Sequence, residues 1–315
     1  MSINLLKVDG KDLYDFTDIC DEITRRSSDS EISEEVSFST KGKYLSEGDR
    51  VIMMEYGKKL FEGIVVDVKQ GEFTSEVNCF DFGWYLNKNE DAYQFNATCT
   101  DCITRVCKDH GIPVGSIASM RTVYNKVKKG NIADIIKDII EYHEKSTGIK
   151  HIWYMSRNKL YVEKQDSNIV VYNTNVNNTT VEITKLLSKP SLSSSIDNLY
   201  NAIKVVNQED NSINVLAYAE DRNSIGKYGR LQKLETVTKE ETSNARNVAT
   251  GQLKLLNKIK RNLSVTLLGV SECRANKILY VENDIMNIKG KFIIKSCEHS
   301  YTKSLHLMSL SLEVI

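Results

Sequence analysis

Cys99-x2-Cys102-x4-Cys107-x2-His110 gathers the residue types of a tetrahedral zinc centre, or of a Cys-His nucleophile pair, into one short segment. The spacing assigns them another task. Cys99, Cys102, Ile103, Val106, Cys107 and His110 fall at i, i+3, i+4, i+7, i+8 and i+11, one face of a helix that stops at Gly111. On a continuous helix Cys99 and Cys107 stand about 12 Å apart, too far for both to reach one zinc through bonds of about 2.3 Å. A buried stripe is the better reading, because free cysteine is among the most buried residue types. Other chemistry is sparser. There is no Gly-x-Ser-x-Gly elbow, Gly-rich phosphate loop or His-Glu-x-x-His motif, since His143-Glu144 runs on into Lys145-Ser146-Thr147. Of five histidines, His110 and His143 are expected as hydrogen-bonded core residues on apolar helix faces, and His299 and His306 flank the hairpin candidate Tyr301-Thr302-Lys303-Ser304. With 42 acidic residues some carboxylate pair always falls at a workable separation, so glycoside-hydrolase pairs carry no signal. The expectation is no catalytic residue, no metal ligand and no cofactor.

The elements that position these side chains change character along the chain. Residues 1–95 read as strands and Gly-centred turns: Val36 to Thr40 alternates with period two, and Val51 to Tyr56, Lys59 to Lys69 and Phe73 to Asp81 are separated by Tyr56-Gly57-Lys58 and Gln70-Gly71-Glu72. Gly63 marks a bulge or a close backbone approach. The acidic, serine-rich Ser27 to Glu35 reads as an exposed hairpin tip. Residues 96–170 turn helical, with Ile132, Ile135, Ile136, Ile139, Ile140 and His143 repeating the offsets of the cysteine stripe. Both stripes end in His and are followed by Gly-Ile. Either a duplication or the chance likeness of two amphipathic helices accounts for this, and two units fall short of the about three a repeat array needs. A hairpin, His151 to Met155 and Lys159 to Glu163, closes this α/β module. From residue 171 strands return at Ile196 to Asn207, Val215 to Glu220, Arg230 to Val237, Leu263 to Val270, Ile278 to Glu282, Phe292 to His299 and Leu305 to Val314. A helix over roughly Lys239 to Lys260 interrupts them, apolar at Ala245, Val248, Leu255, Leu256 and Ile259, with Lys254, Lys258 and Arg261 on another side.

Length and charge narrow the function classes. A chain of 315 residues has room for two or three domains, and 42 basic against 42 acidic residues leave no global field to hold a polyanion or an anionic membrane. No apolar run approaches the about 20 residues needed to cross a bilayer, so no membrane insertion is expected. Seven cysteines, Cys20, Cys79, Cys99, Cys102, Cys107, Cys273 and Cys297, form an odd, dispersed set that fits reduced, buried thiols in a cytosolic protein. Trp84, Tyr85, Trp153 and Tyr154 neighbour lysines or arginine, but their strand context favours packing over base stacking.

Several segments carry a family signature: Leu60-Phe61-Glu62-Gly63-Ile64-Val65, Trp84-Tyr85-Leu86-Asn87-Lys88-Asn89, His110 through Ile117, Asp221 through Arg230, and the closing run from Gly290 to Leu310. In order and spacing the chain resembles, over nearly its whole length, the baseplate hub proteins of contractile phage tails, defective prophages and phage-tail-like bacteriocins of Gram-positive bacteria. Cys99, Cys102 and Cys107 depart from the alanine, valine or isoleucine of that pattern, all of which suit a buried face. The resemblance implies a mainly β fold, with two tail-tube-like β-barrel domains at 1–95 and 171–315 flanking the α/β module at 96–170. It implies a structural, non-enzymatic hub: a homotrimer whose pseudo-sixfold ring joins the hexameric tail tube to the trimeric central spike. The other implied partners are a LysM-bearing adaptor or wedge protein at the side and a lumen that can pass DNA or a tape-measure protein. Assembly would occur in the bacterial cytoplasm, before the chain takes its place in the virion tail or the baseplate of a released tailocin. Asp221, Ser224, Ile225, Tyr228 and Gly229 are the candidate interface, read as a loop at an intersubunit or tube-facing contact or as a purely internal turn. The alternatives are a baseplate-associated peptidoglycan hydrolase, or a trimer-forming scaffold or effector carrier of another injection system.

Overall fold

Period-two alternation and glycine turns shape the chain up to Asp81 into seven strands, β1 (Ile3–Asp9), β2 (Asp12–Asp15), β3 (Cys20–Ser28), β4 (Glu35–Lys41), β5 (Arg50–Glu55), β6 (Lys58–Gln70) and β7 (Thr74–Asp81), the last three a meander of consecutive antiparallel neighbours. A computed structural model describes residues 3–156, 158–165, 175–176, 179–180, 190–209, 212–283 and 288–314. The expected boundary near residue 170 lies outside them. Inward positions of these strands, Leu5, Val36, Phe38, Val51, Met53, Phe61, Val65, Val77 and Cys79, make one core. At Gly63 the neighbouring strand comes so close that a Cβ would sit 2.1 Å from the Phe80 carbonyl oxygen, so the close approach read from the sequence is present and excludes any side chain.

The meander ends in a helix. Trp84 and Tyr85, expected in a strand, lie on α1 (Gly83–Lys88), where Asp81 Oδ1 accepts the Gly83 N–H at 2.9 Å and turns the chain. There follow β8 (Glu90–Gln94), β9 (Ala97–Thr98), α2 (Cys99–Asp109), β10 (Val114–Ile117), β11 (Val123–Tyr124), β12 (Val127–Asn131), α3 (Ile132–Thr147), β13 (His151–Ser156) and β14 (Lys159–Lys164). Thr98 caps α2 by accepting from Asp101 N, Asn131 caps α3 by accepting from Ala133 N and Asp134 N, and Gly148 at φ 68° ends α3. The two predicted stripes face each other in a single core, with Cys99, Ile103, Val106, Cys107, Ile132, Ile136 and Ile139 wholly buried. Ser27 to Glu35 is more than an exposed tip, because Ile32 inserts into this same core.

Beyond it come β15 (Asn175–Val176), β16 (Thr179–Thr180), β17 (Ser191–Ser195), β18 (Ala202–Glu209), β19 (Ser212–Glu220), α4 (Arg222–Tyr228), β20 (Gln232–Thr236), α5 (Ala245–Leu256), β21 (Lys260–Leu268), β22 (Ile278–Asn283), β23 (Ile288–Tyr301) and β24 (His306–Val314). The predicted long helix is thus shorter: Lys239–Asn244 winds as 3-10, and Ile259 precedes β21 instead of lying on α5. Gly251 lets α5 cross α3 closely, since a Cβ there would meet Lys145 O at 2.3 Å. That packing offsets the about 1 kcal/mol that glycine costs in a helix.

One sheet unites the two ends of the chain. Its order is β17-β21-β24-β23-β3-β4-β7-β6-β5-β1-β2, with β22 also on β23, and the seam is an antiparallel pairing of β3 with β23 from Ser28↔Ser296 to Ile23↔Tyr301. The fold is therefore mainly β with a helical module, as expected. Where two tube-like barrels were expected, the main sheet is open, shared by both ends of the chain, and its order does not close on itself. A separate three-stranded sheet, β19-β18-β20, packs one face on α5.

Candidate functional site

Burial disposes of the cysteine chemistry first. All seven thiols are free and buried. Burial pushes those of Cys99 and Cys107 up to about 12 and raises that of Cys102, so none supplies a thiolate at neutral pH. His110 is the correction within this group. The helix ends at Asp109, so His110 leaves the apolar stripe and its Nε2 pairs with Asp91 Oδ2 at 3.0 Å. His143 does lie in the core, its Nδ1 hydrogen-bonded to Thr122 Oγ1 at 2.7 Å.

A denser cluster sits on the β3–β23 seam, where pairing of strands far apart in the chain assembles what neighbour spacing could not reveal. His299 Nε2 donates to the Cys273 carbonyl at 2.8 Å, which leaves its Nδ1 to accept from His306 Nε2 at 2.9 Å, and Cys297 Sγ lies 3.2 Å from His299 Nε2. Burial, with Arg25 adding repulsion, lowers His299 to about 3 and His306 to about 4, while burial raises the Cys297 thiol. A neutral imidazole facing a protonated thiol is a hydrogen-bonded strut between strands. Arg25 completes it, donating Nε to Glu34 Oε1 at 2.9 Å and Nη2 to the Ser271 carbonyl at 2.8 Å.

The candidate interface residues come together at one end of the three-stranded sheet. They lie on a short helix, not a loop: Asp221 caps α4, accepting from Asn223 N at 2.9 Å and Ser224 N at 3.1 Å, and Gly229 at φ 79° ends it. Asn257 ties Asp221 and Ser224 to the end of α5, through Asp221 Oδ2 at 2.8 Å and Ser224 Oγ at 2.7 Å. Buried Asn201 donates to the Gly229 carbonyl at 2.8 Å. Asp221, Ser224 and Gly229 thus use polar groups inside the chain, whereas Ile225 and Tyr228 stay partly exposed.

Sequence reading missed the surface beside them. Val205, Ala217 and Ala219 face α5. The bulge between Val205 and Val206 turns Val215 to the opposite face, the one that Tyr218 and Leu234 share across Lys204. That outer face leaves Ile213 64%, Val215 56%, Leu234 56% and Tyr218 44% exposed. Glu220 borders it, held by Arg230 at 2.9 Å and by the Tyr218 hydroxyl at 2.9 Å. An apolar patch with a charged rim is the anatomy of a contact surface. The alternation of Ile213 and Val215 with Ser212 and Asn214 was the available signal, broken at Leu216 because a bulge shifts the parity between Val215 and Ala217.

The family model described as YQBQ-like matches residues 23–313. The phage-like element PBSX protein XkdQ of Bacillus subtilis (strain 168) is 29% identical over 275 residues, 84% of this chain and 81% of that protein. Among solved structures, the tail protein from Neisseria meningitidis MC58 superposes with a TM-score of 0.69 at 13% identity, covering 99% of this chain and 97% of that one. The E. coli c3393 protein, a type VI secretion component described as structurally similar to bacteriophage T4 tail proteins gp27 and gp5, gives 0.51 at 9% identity over 94% of this chain and 74% of its own. These likenesses establish a phage-tail-protein fold.

Proposed function

The chain belongs to the YQBQ-like family, and on that premise we propose that it is a structural hub of a phage-type tail baseplate, working through its surfaces and without chemistry of its own. In this reading three copies form a ring in which the two β-rich ends, 1–95 and 171–315, act as tube-like modules around the 96–170 module. The ring presents six similar modules to a hexameric tube and three to a central spike, so a single chain meets both symmetries. A LysM-bearing adaptor or wedge protein contacts its side, and its lumen passes DNA or a tape-measure protein in a phage, or stays empty in a tailocin. The chain assembles in the cytoplasm and ends in the tail of the particle.

The observation that carries this reading is the exposed apolar face of Ile213, Val215, Tyr218 and Leu234, set beside the α4 segment and facing away from the core that α5 covers. It is the intersubunit contact in this account, with Ile225 and Tyr228 at its margin. The large sheet adds to the case, because β2 and β17 are both open, largely exposed edges that an assembly must cover. The test is the mass of the purified chain by size-exclusion chromatography with light scattering. Wild type should elute as a trimer, and Ile213→Lys with Val215→Glu as a folded monomer. A trimer that survives the double substitution removes this face from the contact.

A further inference from the structure

Where β6, the β13–β14 hairpin and the loop from Ser271 to Lys277 meet lies a polar cleft of about 300 Å³. Among the described residues five cationic side chains line it, Arg25, Lys58, Lys59, Arg274 and Lys277, against the carboxylates of Glu34, Glu62 and Glu272 and the carboxyl of Asp81. Most of these are matched. Lys58 pairs with Glu272 at 2.7 Å, Lys59 with Glu62 at 2.6 Å, and Arg25 Nε with Glu34 at 2.9 Å. Asp81 does not balance the remainder, because burial, reinforced by the Glu34 charge, raises it to about 8 and keeps it protonated at neutral pH.

Among the described residues, three cationic features make no ion pair of their own: the Arg25 Nη1 end, Arg274 and Lys277. Arg25 is only 3% exposed, and its Nη1 has no hydrogen-bond partner among the described residues, a costly condition for a buried guanidinium nitrogen. Among the described residues Arg274 donates only to the Met155 carbonyl, at 3.1 Å, with its guanidinium 4.3 Å from the centre of the Tyr154 ring. Lys277 stands 5.8 Å from the same ring centre, its pKa lowered by burial and by repulsion from Arg274, which outweigh the attraction of Glu163. An entering anion would relieve that repulsion and satisfy Arg25.

We propose that this cleft is a carboxylate-binding site, with Arg25 on its floor and Lys277 on its rim receiving one acidic group. A carboxylate suits it better than a phosphate dianion, since Glu34, Glu62 and Glu272 hold the excess of positive charge to a small value, and the protonated Asp81 can donate one hydrogen bond. The carboxylate belongs either to a small free acid or to an acidic side chain on a partner polypeptide. The site is a property of the single chain and stands apart from the hub assignment.

Calorimetric titration of the full chain at constant ionic strength, with acetate, with the blocked peptide acetyl-Gly-Glu-Gly-amide and with inorganic phosphate, tests it. At least one carboxylate probe should bind saturably with one site per chain and more tightly than phosphate. Peptide binding at least as tight as acetate identifies a polypeptide source, and acetate binding with the peptide excluded identifies a free acid. Arg25 also holds Glu34 and the Ser271 loop, so Arg25→Met can fail to fold. Lys277→Gln avoids this, and should weaken binding about tenfold without lowering the melting temperature. No saturable binding of either carboxylate probe, phosphate binding more tightly than both, or equal affinity in Lys277→Gln would overturn the proposal.

Discussion

The helical module and the three-stranded sheet each pack a helix on strands, yet they treat apolar side chains in opposite ways. In the module α2 and α3 turn their apolar stripes inward, and Ile132, Ile136, Ile139 and Cys107 are wholly buried. In the small sheet α5 covers only one face, and Ile213, Val215 and Leu234 remain more than half exposed on the other. The same residue types therefore hold one unit together and leave the other waiting for a neighbour. What separates them is the number of apolar faces each element presents and the number of layers available to cover them.

The largest effect expected from this contrast is in the module. Ile136→Ala should destabilise the chain by about 2–5 kcal/mol, because it opens a cavity between α2 and α3. Val215→Ala should change stability by no more than about 0.5 kcal/mol while weakening self-association. Urea unfolding of the dilute chain beside its light-scattering mass checks both, and equal losses of stability at the two positions would erase the distinction.

An intermediate effect lies at the junction of the two ends. The Asp81 pKa is raised from 3.8 to about 8, so its contribution to stability is complete below pH 3.8 and is lost as pH rises through 8. His299 and His306, lowered from 6.5, act in the reverse sense: their contributions are present above pH 6.5 and are lost as pH falls through about 4 and then 3. Asp81→Asn keeps an oxygen for the Gly83 N–H and should remove only the decline between pH 4 and 8. Melting curves of the two chains should then diverge least at pH 4 and most at pH 8, with the variant more stable at the upper end. Parallel curves across that window would contradict the protonated state of Asp81.

The smallest expected effect concerns the candidate interface helix. Asp221→Ala removes a cap and should lower the melting temperature slightly without changing the chain's mass in solution. A lost trimer in that variant would move the contact from the sheet face to α4.

Sequence periodicity revealed what is local. The stripes of α2 and α3, the β13–β14 hairpin and the close approach at Gly63 follow from neighbours in the chain. Two short helices did not: α1 is built from strand-favouring aromatics and is started by a single Asp81 oxygen, and α4 is too brief for a period to register. The β3–β23 seam and the Arg25 cleft were out of reach for a different reason, since Arg25 meets Ser271 and His299 only once the ends of the chain pair. Exposure of the Val215 face depends on a one-residue bulge, which no alternation count detects.

The central claim is that this chain acts as a threefold structural ring at the tail tip. Cryo-electron microscopy of the native particle measures it directly, by locating the chain and counting its copies. Three copies around the axis, touching through the Ile213, Val215 and Leu234 face between tube and spike, is the predicted result. A different copy number, or a particle whose tail tip lacks this chain, would contradict it.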